Sequence, residues 1–410
     1  MASAHAWAVV VLLPCCMLAG TAEAGPGPLE QAISDTRSIG DARIRFEHVD
    51  QDPLTEDAQA LTLRARLGFE TGKAWETALL VEGEFAWPLI SDYNSTTNGK
   101  TAYPVVADPE SYEVNRLQLV NTGLPGTTVT LGRQRINLDE QRFVGNVGWR
   151  QNEQTFDSLR IVNRSLPRLT LDASWITQVN RVFGGDSLQG RYEGDSYLLN
   201  LSWQLPAGRL TGFGYWLAFD AIDGVPAAVG DSSQTLGLRF AGERASGEWK
   251  LAYAASWATQ EDAGSNPSRF DNDYRLLELT AHWRKLHAGI GTEVLEGDGT
   301  KGFVTPLATL HKFQGWADKF LATPPDGIED TYVTAGFGFG RVGPLDALSA
   351  QAGYHEYRAE SASGRYGTEL NLQLQIRWHR LAGTLKFADY DADTLLTDTR
   401  KFWAQLEYAW

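Results

Sequence analysis

The chain has 410 residues, with 36 Lys and Arg against 51 Asp and Glu, and a formal net charge of −15. A chain this acidic repels phosphate backbones, so we expect no nucleic-acid partner. Its mean hydropathy is only −0.29, which argues against a bundle of membrane-spanning helices.

The amino-terminal segment is predicted to be a secretory signal peptide covering residues 1–24. An apolar run from Ala6 to Gly20 is too short for a spanning helix, and the small-x-small motif Ala22-Glu23-Ala24 follows it. We therefore predict cleavage after Ala24. A lipoprotein signal ending at Cys15 or Cys16 fits less well, because Leu13-Pro14 stands where small residues are needed.

Cleavage at this point would remove both cysteines, both methionines and one charged residue, Glu23. The mature chain would then have a formal net charge of −14 (36 basic against 50 acidic residues), with no disulfide or thiolate metal site. We interpret residues 25–41 as a short periplasmic lead before the first strand.

Apolar and polar residues then alternate with a period of two along most of the chain. In one segment Leu61, Leu63, Leu67 and Phe69 alternate with Thr62, Arg64, Arg66 and Glu70. The same pattern recurs around residues 197–204, 249–257 and 369–378. Period-two alternation places the two sets on opposite faces of a strand. The sequence therefore predicts an all-β fold.

Parity and turn residues divide this pattern into eighteen strands, an even number that suits a transmembrane barrel. Short turns follow the even strands and longer loops the odd ones, as expected for short periplasmic turns and long outer loops. The predicted ranges are 42–49, 60–70, 75–87, 112–121, 127–135, 155–163, 169–177, 195–204, 209–219, 233–241, 248–258, 273–284, 287–295, 328–340, 347–358, 365–378, 381–390 and 400–410.

Aromatic residues at the predicted strand ends favour a membrane barrel over a soluble sandwich. Trp203, Trp249, Trp283 and Trp378 stand where an interfacial girdle is needed. The last strand alternates up to Trp410, as in bacterial outer-membrane barrels. We therefore predict one transmembrane antiparallel β-barrel over residues 42–410, in the bacterial outer membrane. Its expected partners are outer-membrane lipid, lipopolysaccharide and the barrel-assembly machinery.

One loop departs from the strand pattern. Within residues 306–321, apolar side chains recur at helical spacing after Pro306, so we predict a helical segment. It either packs into the barrel or caps its outer rim.

Sequence motifs for catalysis and cofactors give no support to an enzyme. The Gly338-x-Gly340-x-x-Gly343 pattern precedes a strand, whereas a dinucleotide fingerprint precedes a helix. The acidic run from Asp389 to Asp393 lacks the glycine and the bidentate glutamate of a calcium loop. We expect no enzyme activity, no cofactor and no metal site.

Basic residues of inward parity are the candidates for the solute path. Ten such residues face nine acidic ones, so the predicted lumen has no net bias. The first five bases cluster on strands one, two and four, and Arg133 and Arg135 join them if a bulge turns strand five inward. The candidates are Arg43, Arg45, Arg64, Arg66, Arg116, Arg239, Lys250, Arg377, Lys386 and Lys401, together with Arg133 and Arg135.

This cluster has two interpretations. Its guanidinium groups could attract an anionic solute. Alternatively, Glu82 and Glu84 on strand three could neutralise Arg64 and Arg66 in a cross-strand ladder that braces the wall.

Two segments resemble the alginate-export porin family: LGRQRINLDEQRFVGNVGWRQNEQTFD from Leu131 to Asp157, and GFVTPLATLHKFQGWADKFLATPPDGIEDTY from Gly302 to Tyr332. The resemblance implies an eighteen-stranded outer-membrane barrel that passes an anionic polysaccharide or a related hydrophilic solute. The alternative function is a general or solute-specific uptake porin for small acids or sugars. A barrel enzyme is the least supported reading.

Overall fold

The computed structural model describes residues 26–222 and 225–410, so the predicted signal peptide lies outside the described residues. Eighteen strands are present there: β1 Arg37–Gln51, β2 Ala58–Glu70, β3 Thr77–Asp92, β4 Ser111–Asn121, β5 Thr127–Gln134, β6 Thr155–Asn163, β7 Leu169–Asn180, β8 Arg191–Leu205, β9 Gly208–Leu217, β10 Ser233–Ser246, β11 Trp249–Asp262, β12 Asp271–Trp283, β13 Leu286–Leu295, β14 Ile328–Val342, β15 Leu345–Arg358, β16 Arg365–Trp378, β17 Leu381–Ala392 and β18 Thr399–Ala409. Two short helices accompany them, α1 Pro28–Ser34 and α2 Pro226–Gly230. No helix in the described ranges is long and apolar enough to cross a membrane.

Each strand pairs antiparallel with its sequence neighbour, and β1 pairs with β18, which closes the sheet into a barrel. Closure leaves no strand with an unpaired edge, and this is required because lipid cannot satisfy the backbone N–H and C=O groups of an open edge. The prediction of an eighteen-stranded antiparallel barrel is confirmed.

The two faces of the wall follow the predicted parity. In β1 and β2, Arg43, Arg45, Arg64 and Arg66 are buried in the interior, whereas Leu67 on the other parity is exposed. Exposed leucine, isoleucine and valine side chains continue around the outside, as a lipid-facing band requires.

Tryptophan and tyrosine side chains border this band at both ends. Next to the short turns, Trp249 and Trp283 stack with ring centroids 6.0 Å apart. Towards the long loops, Trp175, Tyr197 and Trp216 occupy neighbouring positions on three adjacent strands. Two aromatic girdles around an apolar band are the outer surface of a membrane barrel, so the chain is an outer-membrane protein.

The predicted start of the barrel at residue 42 was wrong by five residues. β1 begins at Arg37, because the long strand β2 offers pairing partners as far as Glu70. The Arg37 guanidinium also binds the Glu70 carboxylate, with 2.5 Å between Nη2 and Oε2. The predicted periplasmic lead is therefore partly the short helix α1 and partly the first strand.

The predicted helix at residues 306–321 was also wrong. Only Leu310–Lys312 forms a single 3-10 turn. Gln314, Gly315 and Asp318 have positive φ angles, which a right-handed helix cannot accommodate. The apolar side chains of this loop serve packing inside the barrel.

The seam between β1 and β18 generates a prediction about barrel stability. A Cβ at Gly40 would overlap the Trp410 ring and approach the Arg66 carbonyl oxygen, whereas a Cβ at Gly383 in β17 would lie 3.6 Å from the nearest atom. We expect Gly40→Ala to destabilise the barrel by about 1–3 kcal/mol, as overpacking does. Urea midpoints, read by heat-modifiable gel mobility, measure this. The matched variant Gly383→Ala should stay near wild type, and equal midpoints would contradict the packing argument.

The alternation of loop lengths generates a prediction about orientation. A tag inserted at Asn98, in the β3–β4 loop, or at Gly264, in the β11–β12 loop, should be labelled on intact cells. A tag at Ala207, in the two-residue β8–β9 turn, should be labelled only after the outer membrane is permeabilised. The opposite labelling pattern would mean that the barrel has the opposite orientation in the membrane.

Candidate functional site

Two loops fold into the barrel and meet there. The β5–β6 loop (residues 135–154) and the β13–β14 loop (residues 296–327) form a parallel bridge between Val144 and Leu307. The Gly145 N–H donates to the Leu307 carbonyl at 2.9 Å. We call these two segments the inner loops. The β13–β14 loop therefore packs inward and does not cap the rim.

Arginines of β1 hold the β5–β6 loop against the wall. Arg43 Nη1 donates to the backbone carbonyls of Gly148 at 3.0 Å and Trp149 at 3.1 Å. The Arg45 guanidinium also donates to the Trp149 carbonyl and lies 4.0 Å from the centroid of its ring. These two guanidinium groups bind loop backbone, so part of their donor capacity is already used.

Carboxylates engage the rest of the predicted arginine cluster. Arg66 binds Glu84 and lies 3.3 Å from Glu153 of the β5–β6 loop. Arg116 and Arg135 both bind Glu82, at 2.6 Å and 3.1 Å.

Arg64 does not follow the predicted ladder. It binds Asp41 in place of Glu82 or Glu84, and its Nε and Nη1 atoms have no hydrogen-bond partner in the described residues. The bracing interpretation therefore describes Arg66, while Arg64 keeps unused donors.

The remaining candidates are spread over the barrel. Arg133 does not join the cluster: it shares the outward parity of the exposed Leu131 and binds Asp157 at 2.7 Å. Arg239 binds Glu140 of the β5–β6 loop at 2.6 Å. Two further candidates, Lys250 and Arg377, lie at strand ends next to short turns, away from the cluster.

Lys386 and Lys401 are buried beside the β13–β14 loop. Lys386 Nζ lies 3.9 Å from the Trp316 ring centroid and 4.1 Å from that of Trp149. Lys401 Nζ binds Asp318 at 3.0 Å. Both lysines secure the loop from the wall.

Sequence reasoning missed two loop arginines that connect the inner loops to the wall. Arg142 binds Glu293 of β13 at 2.7 Å. Arg150 lies 2.8 Å from Asp318 and 3.4 Å from Glu47. Burial opposes the charge of Arg150, but these carboxylates outweigh it and raise its pKa. Strand parity says nothing about loops, so only the density of charge in GWRQNEQ could have identified Arg150.

The inner loops separate two cavities. An outer cavity of about 450 Å³ reaches Gln51 and Lys401 at the outer ends of β1 and β18. An inner cavity of about 290 Å³ lies along β12–β16. The segment 310–319 contributes residues to both: His311 and Asp318 line the outer cavity, and Gln314 and Trp316 line the inner one.

The outer cavity combines an apolar wall with basic groups. Phe183 and Leu310 contribute to the apolar part. Among its bases, Arg150 and Lys401 share Asp318, whereas Arg181 and Lys319 form no ion pair within the described residues. The Arg181 guanidinium lies over the Tyr192 ring at 4.2 Å, and Lys319 Nζ donates to the Thr399 hydroxyl at 2.7 Å.

Metal binding finds no support in the described residues, where no group of three or more His, Cys, Asp or Glu side chains could hold an ion.

Comparison with solved structures identifies the fold. Pseudomonas aeruginosa OpdO has a TM-score of 0.70 at 13% identity, over 93% of this chain and 99% of that one. Acinetobacter baumannii OccAB4 has a TM-score of 0.70 at 13% identity, over 92% and 98%. P. aeruginosa OpdK, crystallised with vanillate, has a TM-score of 0.67 at 14% identity, over 91% and 98%. No model of a known protein family and no curated protein matches the sequence.

These neighbours are outer-membrane porins and not enzymes. They support the broader sequence-based prediction, an outer-membrane β-barrel of the channel-forming fold. They do not support its narrower part, the alginate-export assignment, which rested on two segments that form the inner loops and their flanks.

The paired arginines generate a prediction about the lumen. Arg66→Gln leaves the buried Glu84 without its guanidinium and leaves Glu153 with Arg135 alone, and breaking a buried pair costs about 3–5 kcal/mol. We expect a lower urea midpoint and a shift of the reversal potential towards cations in a KCl gradient. Arg37→Gln, which removes a pair whose arginine is 72% exposed, is the control and should change both little. A wild-type urea midpoint and reversal potential for Arg66→Gln would show that Arg66 is not part of the charge network in the lumen.

Proposed function

We propose that the chain is an outer-membrane channel for the uptake of small organic acids that carry a carboxylate on an apolar or aromatic body. The observation that carries this proposal is the outer cavity, in which Arg181 and Lys319, two cations with no ion pair among the described residues, accompany apolar side chains. A cavity of about 450 Å³ lies in the range of small-molecule sites.

The two cations are suited to different parts of such a solute. Arg181 offers a planar fork for a carboxylate. Lys319 provides a point charge, and burial together with the nearby Lys401 lowers its pKa to about 8. Lys319 is therefore charged at neutral pH and loses its charge as the pH rises through 8. Phe183 and Leu310 offer an apolar surface for the body of the solute.

Two further observations favour a small acid over a polysaccharide. The inner loops meet in the lumen and divide it into two compartments, which disfavours an extended polymer. One structural neighbour, OpdK, was crystallised with vanillate, an aromatic carboxylate of the proposed class. The acid of this chain need not be the same, since identity to OpdK is 14%.

The double variant Arg181→Gln/Lys319→Gln tests the proposal. Vanillate added to the outer side at pH 7 should reduce the wild-type single-channel current. The variant should need at least about tenfold more vanillate, because a hydrogen bond to a charged group contributes about 1.5–3 kcal/mol. Wild-type vanillate sensitivity should also weaken above pH 8, when Lys319 becomes neutral.

Arg191→Gln is the control for this experiment. Arg191 is a rim arginine that binds Glu193 at 2.8 Å with its side chain 60% exposed, so its loss should leave the block unchanged. Equal vanillate sensitivity in the wild type and the double variant would contradict the proposed acid site. A wild-type barrel that passes no ion current would contradict the channel itself.

A further inference from the structure

We propose that His311 is the proton-sensitive part of a latch that holds the β13–β14 loop across the lumen and releases it in acid. The latch consists of His311 and Asp318 from the loop and Lys386 from β17. It concerns ion passage in general, so it does not depend on which solute the channel accepts.

Both ring nitrogens of His311 are engaged. Nδ1 lies 2.7 Å from Asp318 Oδ1, and Nε2 lies 2.7 Å from Lys386 Nζ. A lysine ammonium can only donate, so Nε2 must accept, and Nδ1–H then donates to the carboxylate. The contacts therefore require a neutral imidazole. A second proton, on Nε2, would abolish the bond from Lys386 and bring two cations together.

Both cations and carboxylates surround His311. From the β5–β6 loop, Arg150 donates to Asp318 at 2.8 Å, and from β18, Lys401 does so at 3.0 Å. From β1, the Arg45 guanidinium lies over the Trp149 ring, on which the His311 ring stacks at 4.4 Å. The acidic groups near these cations are Asp318, Glu47, Asp108 and Glu369. Glu47 lies 3.4 Å from Arg150, Asp108 lies 3.5 Å from Arg45, and the Glu369 carboxylate accepts from the Trp316 N–H.

This environment sets the direction of the pH dependence. Burial lowers the pKa of His311 to about 3, and the charges of Lys386 and Arg150 add to the effect, while Asp318 opposes it. A released imidazole in water titrates near 6.5. The latched state therefore has its full stability above pH 6.5. Below that, the ratio of released to latched loop rises about tenfold per pH unit, until the pH reaches about 3.

Release of the β13–β14 loop would change the shape of both cavities, because residues of this loop line each of them. His311 and Asp318 face the outer cavity, and Gln314 and Trp316, a few residues away, face the inner one. A loop no longer tied to Lys386 can move away from β17 and from Trp403 of β18, whose ring centroid lies 5.6 Å from that of His311. The width of the ion path then changes with the position of the loop.

The variant His311→Gln tests the proton dependence. Glutamine can accept from Lys386 and donate to Asp318 but does not titrate in this range, so it should keep the latch closed. Single-channel conductance and current noise in symmetrical KCl are recorded at pH 7.5, 6, 5 and 4. We expect the wild type to become noisier and change conductance below pH 6, and His311→Gln to lack that change.

His355→Gln is the matched control, because His355 is a lumen histidine of the inner cavity that binds Asp330 at 3.0 Å. Its profile should follow the wild type, because this variant keeps His311 and its contacts with Asp318 and Lys386. A wild-type profile that is flat down to pH 4, or one that His311→Gln reproduces, would overturn the proposal.

A second variant tests the lysine. Lys386→Met keeps a long side chain but removes the donor to Nε2, so the loop should be released already at pH 7.5. We expect the acid-type noise at neutral pH, in a barrel that retains heat-modifiable gel mobility. Quiet wild-type currents from this variant would overturn the latch even if His311→Gln failed to assemble. Lys250→Met, at a short turn and bound to Glu243, is its control.

Discussion

A strand that crosses a bilayer has to satisfy every backbone N–H and C=O inside the sheet, because lipid offers no partner. The pairing of β1 with β18 meets that condition for the whole barrel. With the backbone engaged in the wall, apolar side chains face lipid and polar ones face the lumen. The closed barrel thus gathers charged side chains in the lumen, and they must find partners there.

Those partners come mostly from the inner loops. Arg43 and Arg45 bind loop carbonyls, Arg66 reaches Glu153, and Glu47 meets Arg150. The charged wall residues that the sequence suggested as a solute path therefore mostly hold the inner loops in position. The two cations of the proposed acid site, Arg181 and Lys319, are contributed by loops at the outer end, where they line the outer cavity.

The cluster around Trp149 shows how loop position and lumen chemistry are coupled. Arg45, Lys386 and His311 all lie within 4.4 Å of its ring centroid, measured to their charged groups or ring centre. Cations over an indole are stabilised by its ring charge distribution, more so when desolvated. A single change of protonation in such a cluster affects wall and loops together, because both inner loops and the two strands β1 and β17 contribute to it.

The sequence alone determined the membrane barrel, its eighteen strands and the inward parity of Arg43 to Arg66, because a period of two is a local property that each strand carries in its own residues. Whether an inward arginine pairs with the wall, a loop or nothing depends on residues up to several hundred positions away, such as Glu407 for Arg43. The helical spacing at residues 306–321 gave a wrong prediction for the same reason, because its apolar residues pack against the barrel interior and do not form one face of a helix. Only the folded loops decided that Arg181 and Lys319 form no ion pair in the part of the chain that the structure describes. The same holds for the position of His311 between Asp318 and Lys386, because these environments arise from long-range packing that no local pattern encodes.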